Sequence, residues 1–152
     1  MSIILALILA GNQPMPMVVI DEADTVQEGP APHGKIGQST AWRISDAVPA
    51  PRSFEFRKRA LHVGAAIGIH PIDHDEIYYV LSGTGAVHSD GDERRLGPGM
   101  AAWLYKGADV GIRQTGNEPL ILIIAYPNKL EIRGGRTERR ADLASGLADI
   151  ID

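Results

Sequence analysis

Residues 64–85 read Gly64-Ala-Ala-Ile-Gly-Ile-His70-Pro-Ile-Asp-His74-Asp-Glu76-Ile-Tyr-Tyr-Val-Leu-Ser-Gly83-Thr-Gly85. Two histidines and a glutamate fall within seven residues, ahead of a β-branched and aromatic run that two glycines close. Side chains alternate between the faces of an extended chain, so positions 70, 72, 74 and 76 share a face if the strand is unbroken. Imidazole and carboxylate groups that converge in this way suit a divalent metal or an acid/base pair.

Short strands and turns surround this stretch. Asp90-Gly91 is a strong hairpin signal, and Gly97-Pro-Gly99 is a second turn ahead of an apolar strand over 100–105. The run 120–126 is continuously apolar, which favours a strand buried on both faces. Further strands are predicted over 17–20 and 40–44, and an edge strand from residue 53, where phenylalanines punctuate Arg57-Lys-Arg59. Such spacing predicts an all-β sandwich or barrel.

Bulk composition excludes several classes of protein. A chain of 152 residues is long enough to bury the core of one domain. The net charge of −4 argues against a nucleic-acid partner. With no cysteine, disulfides and thiol nucleophiles are excluded.

The central stretch resembles the first motif of the cupin family. Gly64, His70, Glu76 and Gly83 stand at the motif's intervals, and Ile72 takes the place of its second histidine. The scaffold of the second cupin motif is recognisable over 97–116. Within it Val110 stands where the family has its fourth ligand, a histidine, and Gln114 where it has an asparagine. The resemblance implies a single-domain double-stranded β-helix, a jelly-roll β-barrel.

The resemblance also implies a reduced metal site. Cupins bind a metal through three histidines and one glutamate, of which this chain keeps His70 and Glu76. His74 would complete a set of two histidines and one carboxylate (His70, His74, Glu76) suited to iron, manganese, nickel or zinc. The family's spacing before its glutamate indicates a bend here, which would let His74 face solvent. A metal-dependent dioxygenase or isomerase is therefore one hypothesis.

The second hypothesis needs no metal. Ile72 and Val110 would make an apolar pocket floor, where desolvation raises the pKa of Glu76 and His70 pulls toward an ion pair. That pair, His70 and Glu76, would do acid/base chemistry of the isomerase or lyase type on a small oxygen-rich molecule such as a sugar acid or a polyketide fragment. Further pocket walls are predicted from Tyr78, Trp103, Tyr105 and Gln114. A third hypothesis is a non-catalytic ligand-binding cupin.

The other three histidines are predicted to lie outside the site. His33 stands in a turn-rich linker and is expected at the surface. His62 is expected to be structural or exposed, and His88 to face outward because Val87 beside it packs inward.

The chain ends differ from the barrel, which we place at 17–128. Residues 1–16 contain an apolar run too short for the roughly 20 residues that cross a bilayer, so no integral membrane segment is expected. The run is either a signal peptide, which would make the protein periplasmic or exported, or an extra strand of a cytoplasmic protein. The charged tail 129–152 is expected to form an amphipathic helix, since four of its large apolar residues fall at helical spacing: Leu143, Leu147, Ile150 and Ile151. We expect a homodimer, because the apolar segment 3–9 would otherwise be exposed.

Overall fold

A computed structural model describes residues 16–128 of the protein. Predictions for residues 1–15 and 129–152, including the tail helix, lie outside the described residues. Two short 3₁₀ helices occur at Glu22–Thr25 and Ile44–Ala47. The strands are β1 (Val26–Pro30), β2 (Gln38–Trp42), β3 (Phe54–Leu61), β4 (Ala66–Pro71), β5 (Glu76–Ser82), β6 (Thr84–Ser89), β7 (Asp92–Leu96), β8 (Ala101–Leu104), β9 (Asp109–Thr115) and β10 (Leu120–Pro127).

Two antiparallel sheets enclose the core. The larger has the order β1-β2-β3-β10-β5-β8, and the smaller has the order β4-β9-β6-β7. Alternate residues of the inner strands are fully buried, as at Tyr78 and Val80 on β5 and at Leu120 and Leu122 on β10. Burial of these large apolar side chains between the sheets supplies the main driving force for folding. The predicted jelly-roll β-barrel is confirmed. In the described part of the chain, no helix has the length and apolar character needed to span a bilayer.

Two turns follow from residues that tolerate a positive φ. Asp90 and Gly91 have φ values of 47° and 85°, and they connect β6 to β7 as the predicted hairpin. Gly83 has a φ of 73°, and a Cβ there would lie 2.2 Å from the carbonyl oxygen of Pro119. Only glycine therefore fits where β5 passes into β6.

The prediction of an edge strand from residue 53 is wrong. β3 lies inside the larger sheet, where it pairs with β2 on one side and with β10 on the other. Its alternation turns Glu55, Arg57 and Arg59 toward the barrel interior, and Phe54 and Phe56 are exposed. The charges that suggested a solvated edge thus belong to the inner face.

Three other strand predictions need correction. Residues 16–20 form no strand, and Met17 and Val19 are exposed. The strand predicted over 40–44 begins at Gln38 and ends at Trp42, because Ile44 begins a 3₁₀ helix. β10 is fully buried on one face only, since Leu120, Leu122 and Ile124 are buried and the residues between them are half-buried.

Candidate functional site

A cavity of about 590 Å³ opens at one end of the barrel, between the two sheets. Strands β3, β4, β5 and β10, the bend between β4 and β5, and the 31–37 loop form its walls. The lining residues are Pro32, His33, Arg57, Arg59, Ile67, His70, Pro71, Ile72, Asp73, His74, Glu76, Tyr78, Ile124 and Tyr126. An apolar cavity with a few convergent polar groups is the usual form of a small-molecule site.

The central stretch of sequence supplies five of the predicted site residues to this cavity: His70, Ile72, His74, Glu76 and Tyr78. The chain does bend between β4 and β5, at residues 73–74. The bend nevertheless leaves His74 turned inward, because its ring stacks on Tyr126 with the ring centroids 4.3 Å apart. Nε2 of His74 lies 3.5 Å from Oε2 of Glu76.

Glu76 is the most deeply buried carboxylate of the cavity, with 6% of its surface exposed. Burial raises its pKa, and the nearby charges of His74 and His70 oppose that rise without cancelling it. The protonated acid of Glu76 therefore persists to a higher pH than that of an ordinary glutamate. Tyr78 is almost wholly buried, and burial together with neighbouring Glu76 raises its pKa far above the ordinary value. Its phenol remains neutral.

His70 is held by two contacts at the end of β4. Its Nδ1 lies 2.9 Å from the carbonyl oxygen of Gly68, which can only accept, so Nδ1 carries the proton. In the neutral ring Nε2 is then the basic nitrogen. The ring also stacks in parallel on His33, with centroids 3.6 Å apart.

His33 was expected at the surface, and the structure places this exposed residue at the rim of the cavity. The 31–37 loop crosses β4 at Gly68, whose backbone N donates to the carbonyl oxygen of Pro32 at 3.2 Å. Burial first, and then His70 and Arg59, lower the pKa of His33. In the local sequence only Gly68 indicates a close approach of another segment to β4. The sequence pattern does not identify which loop makes that approach.

Four residues predicted for the pocket lie elsewhere: Trp103, Tyr105, Val110 and Gln114. Trp103 and Tyr105 are exposed, because alternation along β8 buries Leu104 instead. The indole N–H of Trp103 donates to Oδ2 of Asp75 at 3.2 Å.

Val110 and Gln114 are buried on β9 but do not line the cavity. Val110 is fully buried in the core opposite His70 on β4. The side chain of Gln114 stabilises a turn, because its Oε1 accepts a hydrogen bond from the backbone N of Gly64 at 2.9 Å. Its Nε2 donates to the carbonyl oxygens of Thr115, Gly116 and Glu118.

His62 and His88 stay outside the cavity, as expected. Nε2 of His62 lies 3.0 Å from Oγ1 of Thr40, and Nε2 of His88 accepts from the backbone N of Gly91 at 3.2 Å.

Two arginines of β3 belong to the cavity, and sequence reasoning missed both. Nη2 of Arg57 lies 2.9 Å from Oε2 of buried Glu55, and Nη1 of Arg59 donates to Oγ of Ser39 at 2.8 Å. Tyr126 of β10 was also missed. The alternation of side chains along β3 and β10 is the sequence pattern that could have identified all three. Alternation predicts which side chains share a face, but it does not predict which face is turned toward the cavity.

The cavity residues do not form a metal-binding group. Among residues 16–128, no three histidine, aspartate, glutamate or cysteine side chains are arranged to hold an ion. Ile72 and Val110 fill two of the four places that cupins give to ligands, and both are buried apolar residues. Within the predicted set, Nε2 of His74 lies 3.5 Å from Oε2 of Glu76, and no group among residues 16–128 forms a hydrogen bond with this buried Nε2.

Comparisons with known proteins agree with this architecture. A sequence model of the family described as 'Cupin domain' matches residues 59–126. No curated protein sequence matches the chain significantly.

Several crystal structures have the same fold. A predicted oxalate decarboxylase from Thermotoga maritima is 23% identical with a TM-score of 0.64, over 72% of this chain and 98% of that one. The polyketide cyclase RemF from Streptomyces resistomycificus is 18% identical with a TM-score of 0.59, over 74% and 80% of the two chains. An RmlC-like cupin from Shewanella frigidimarina is 17% identical with a TM-score of 0.53, over 71% and 88%. The match over residues 59–126, the two-sheet barrel and these similarities together show that the chain has the cupin fold.

Proposed function

We propose that this protein is a cupin that binds a small oxygen-rich molecule and transfers protons on it through Glu76. The observation that carries the proposal is a buried carboxylate with a raised pKa that faces a cavity of about 590 Å³. A raised pKa brings a glutamate closer to neutral pH, where a general acid/base is most effective. His70 and His74 flank it and stabilise the charged form.

The chemistry is that of an isomerase or lyase. The Glu76 carboxylate takes a proton from a carbon next to a substrate carbonyl, which leaves an enolate and a neutral Glu76 acid. In an isomerisation the acid returns the proton to a neighbouring atom, and in an elimination it protonates a departing hydroxyl, which leaves as water. Nε2 of His70 is the second base of the site, since Nδ1 is committed to Gly68. Neither route needs an oxidant or a reductant.

The structural relatives support a small organic substrate. One is described as a predicted oxalate decarboxylase and another as a polyketide cyclase. Oxalate and polyketides are both oxygen-bearing carbon compounds, and the apolar floor of this cavity at Ile72 and Ile124 suits such a molecule. One fold hosts many reactions, so this support extends to the substrate class and not to a particular compound.

Deuterium exchange tests the proposal. The protein is incubated in D₂O with a panel of keto sugars, hydroxy acids and keto acids, and incorporation into carbon-bound positions is followed by NMR. We expect catalysed exchange with the wild type and with Glu93→Gln, a control at an exposed glutamate on β7. Glu76→Gln should lower the exchange rate at least about 100-fold, as removal of a general base does. Binding of panel compounds without exchange would instead support a non-catalytic ligand-binding cupin.

A metal-dependent enzyme is the alternative, and the buried, unbonded Nε2 of His74 beside Glu76 is the observation that favours it. Elemental analysis of the purified protein separates the two. The proposal expects no stoichiometric metal. Near-stoichiometric iron, manganese, nickel or zinc that is lost in His74→Ala would replace the acid/base proposal with the metal-dependent one.

We also propose that the protein is a homodimer. The outer face of the larger sheet exposes Tyr79 and Leu81 on β5 and Trp103 on β8, and β8 is an edge strand of that sheet. A cluster of exposed apolar side chains at the edge of a sheet, where no strand of the described chain pairs with β8, is typical of a subunit interface. Light scattering after size exclusion should give a dimer mass for the wild type and a monomer mass for Trp103→Lys. A monomeric wild type would contradict this.

A further inference from the structure

Arg59 brings a positive charge to the cavity, and no acidic residue in the described part of the chain neutralises it. It lies on β3, two residues before the end of the strand, and lines the cavity together with Arg57. Within residues 16–128 no carboxylate forms an ion pair with it, and its one side-chain hydrogen bond goes from Nη1 to the neutral Oγ of Ser39. A guanidinium has five N–H donors, so most of the donors of Arg59 remain available to a molecule bound in the cavity.

Arg57, two residues away on the same face, makes a useful comparison. Its Nε and Nη2 both donate to Oε2 of Glu55, at 3.1 and 2.9 Å. Glu55 also accepts from Arg52, and although burial opposes ionisation, the hydrogen bonds from the two arginines lower its pKa. Among the described residues, Arg57 therefore has a counter-ion and Arg59 has none.

An unpaired arginine inside a barrel is costly to the free protein. Burial lowers the pKa of Arg59, and the positive charges of Arg57 and Arg43 lower it further. Arg59 is half-buried, and a half-buried cation without a counter-ion at the wall of a cavity suggests that an anion binds to it in function.

We infer that the molecule bound in this cavity carries a carboxylate, and that Arg59 binds it. The inference deepens the proposed function, because it names a carboxylic acid as the substrate class. The planar fork of a guanidinium donates two parallel hydrogen bonds to one carboxylate. A phosphate dianion would call for more positive charge than one unpaired arginine provides.

The position of Arg59 also orients the substrate. Tyr78 lines the same cavity as Arg59 and Glu76, and this buried, neutral phenol experiences the charges of both. A substrate carboxylate is repelled by ionised Glu76 and attracted to Arg59. Its remaining atoms, including the carbon that exchanges its proton, then lie toward Glu76, His70 and His74.

Acids and their amides test the inference, because each pair differs in charge and hardly in shape. Melting temperatures are measured with acetate, benzoate and glucuronate, with acetamide, benzamide and glucuronamide, and with glucose 6-phosphate, all at one ionic strength. The variants are Arg59→Gln, which can still donate to Ser39, and Lys58→Gln. Lys58 is the matched control, since it is the next residue on β3 and its Nζ lies over the outward ring of Trp42, 4.0 Å from the centroid.

We expect at least one carboxylate, at about ten times its dissociation constant, to raise the melting temperature about 3 °C more than its amide does. Lys58→Gln should keep this preference and Arg59→Gln should lose it. Equal effects of every acid and its amide on the wild type would overturn the inference, whether or not Arg59→Gln folds. A preference that survives in Arg59→Gln, or a stronger effect of glucose 6-phosphate than of glucuronate, would also overturn it.

The outcome is separable from that of the proposed function. Melting temperatures report binding alone, whereas the exchange experiment reports proton transfer by Glu76. If acids raise the melting temperature more than their amides but no deuterium exchange is catalysed, Arg59 is a carboxylate site in a binding protein. If neutral compounds exchange deuterium and acids have no advantage over amides, the role of Glu76 stands and that of Arg59 is rejected.

Discussion

Substitution of Gly68 by alanine should open the rim of the cavity. Gly68 lies on β4 where the 31–37 loop crosses it. A Cβ at this position would lie 1.5 Å from the carbonyl oxygen of His33 and 2.7 Å from the carbonyl carbon. Ordinary contacts between non-bonded carbon atoms are about 3.5 Å or longer, so the loop must move outward by about 2 Å. That movement separates His33 from His70.

The cost follows from the contacts that the movement breaks. One is the hydrogen bond from the backbone N of Gly68 to the carbonyl oxygen of Pro32, worth about 0.5–1.5 kcal/mol. The other is the stacked pair of His33 and His70, worth about 0.5–1.5 kcal/mol if it behaves as other stacked rings do. We therefore expect Gly68→Ala to lower the free energy of unfolding by about 1–3 kcal/mol.

Urea denaturation measures this change. With a typical slope of about 2 kcal/mol per molar urea, the midpoint should fall by about 0.5–1.5 M at an unchanged slope. Gly29→Ala is the matched control, because a Cβ on Gly29 in β1 meets nothing within 4 Å. A midpoint for Gly68→Ala within about 0.2 M of the control would refute the argument that the loop rests against this glycine.

Three further predictions concern buried residues. Because the pKa of Glu76 is raised on folding, the wild type loses stability as pH rises from the unfolded pKa through the folded one. Glu76→Gln lacks this loss, so its stability relative to wild type should rise as the pH rises above the pKa of an unfolded glutamate, by about 1.4 kcal/mol per unit of pKa elevation. A difference independent of pH would contradict this. Gln114→Leu should cost about 2–4 kcal/mol in urea unfolding, since four hydrogen bonds are lost, whereas exposed Gln27→Leu should cost under about 0.5 kcal/mol. Ile72→Ala should cost about 2–5 kcal/mol by the same assay through the space it leaves in the core, and a cost below about 1 kcal/mol would contradict its burial.

The local pattern of the chain was sufficient for the barrel and for half of the site. Asp90-Gly91 and Gly83 adopt backbone conformations that few other residues tolerate, so their turns could be predicted from sequence. His70, His74, Glu76 and the strand after them are close in sequence, and a bend of a few residues cannot carry them far apart. Their convergence on one cavity was therefore predictable, although the direction of His74 at the bend depended on Tyr126, whose ring holds it inward.

The tertiary structure decided the rest of the site. Alternation along β3 predicts that Arg57 and Arg59 share a face, but that face is inward because it is the one that the larger sheet turns toward the cavity. His33 reaches the cavity because a loop from much earlier in the chain crosses β4 at Gly68, a contact that no local pattern encodes. Trp103 and Tyr105 have the composition of pocket walls, yet the register of β8 against β5 turns them outward. The sequence by itself determined which side chains alternate and where the chain turns, whereas the pairing of distant strands determined which faces enclose the cavity, because only sheet closure distinguishes the inside of a strand from its outside.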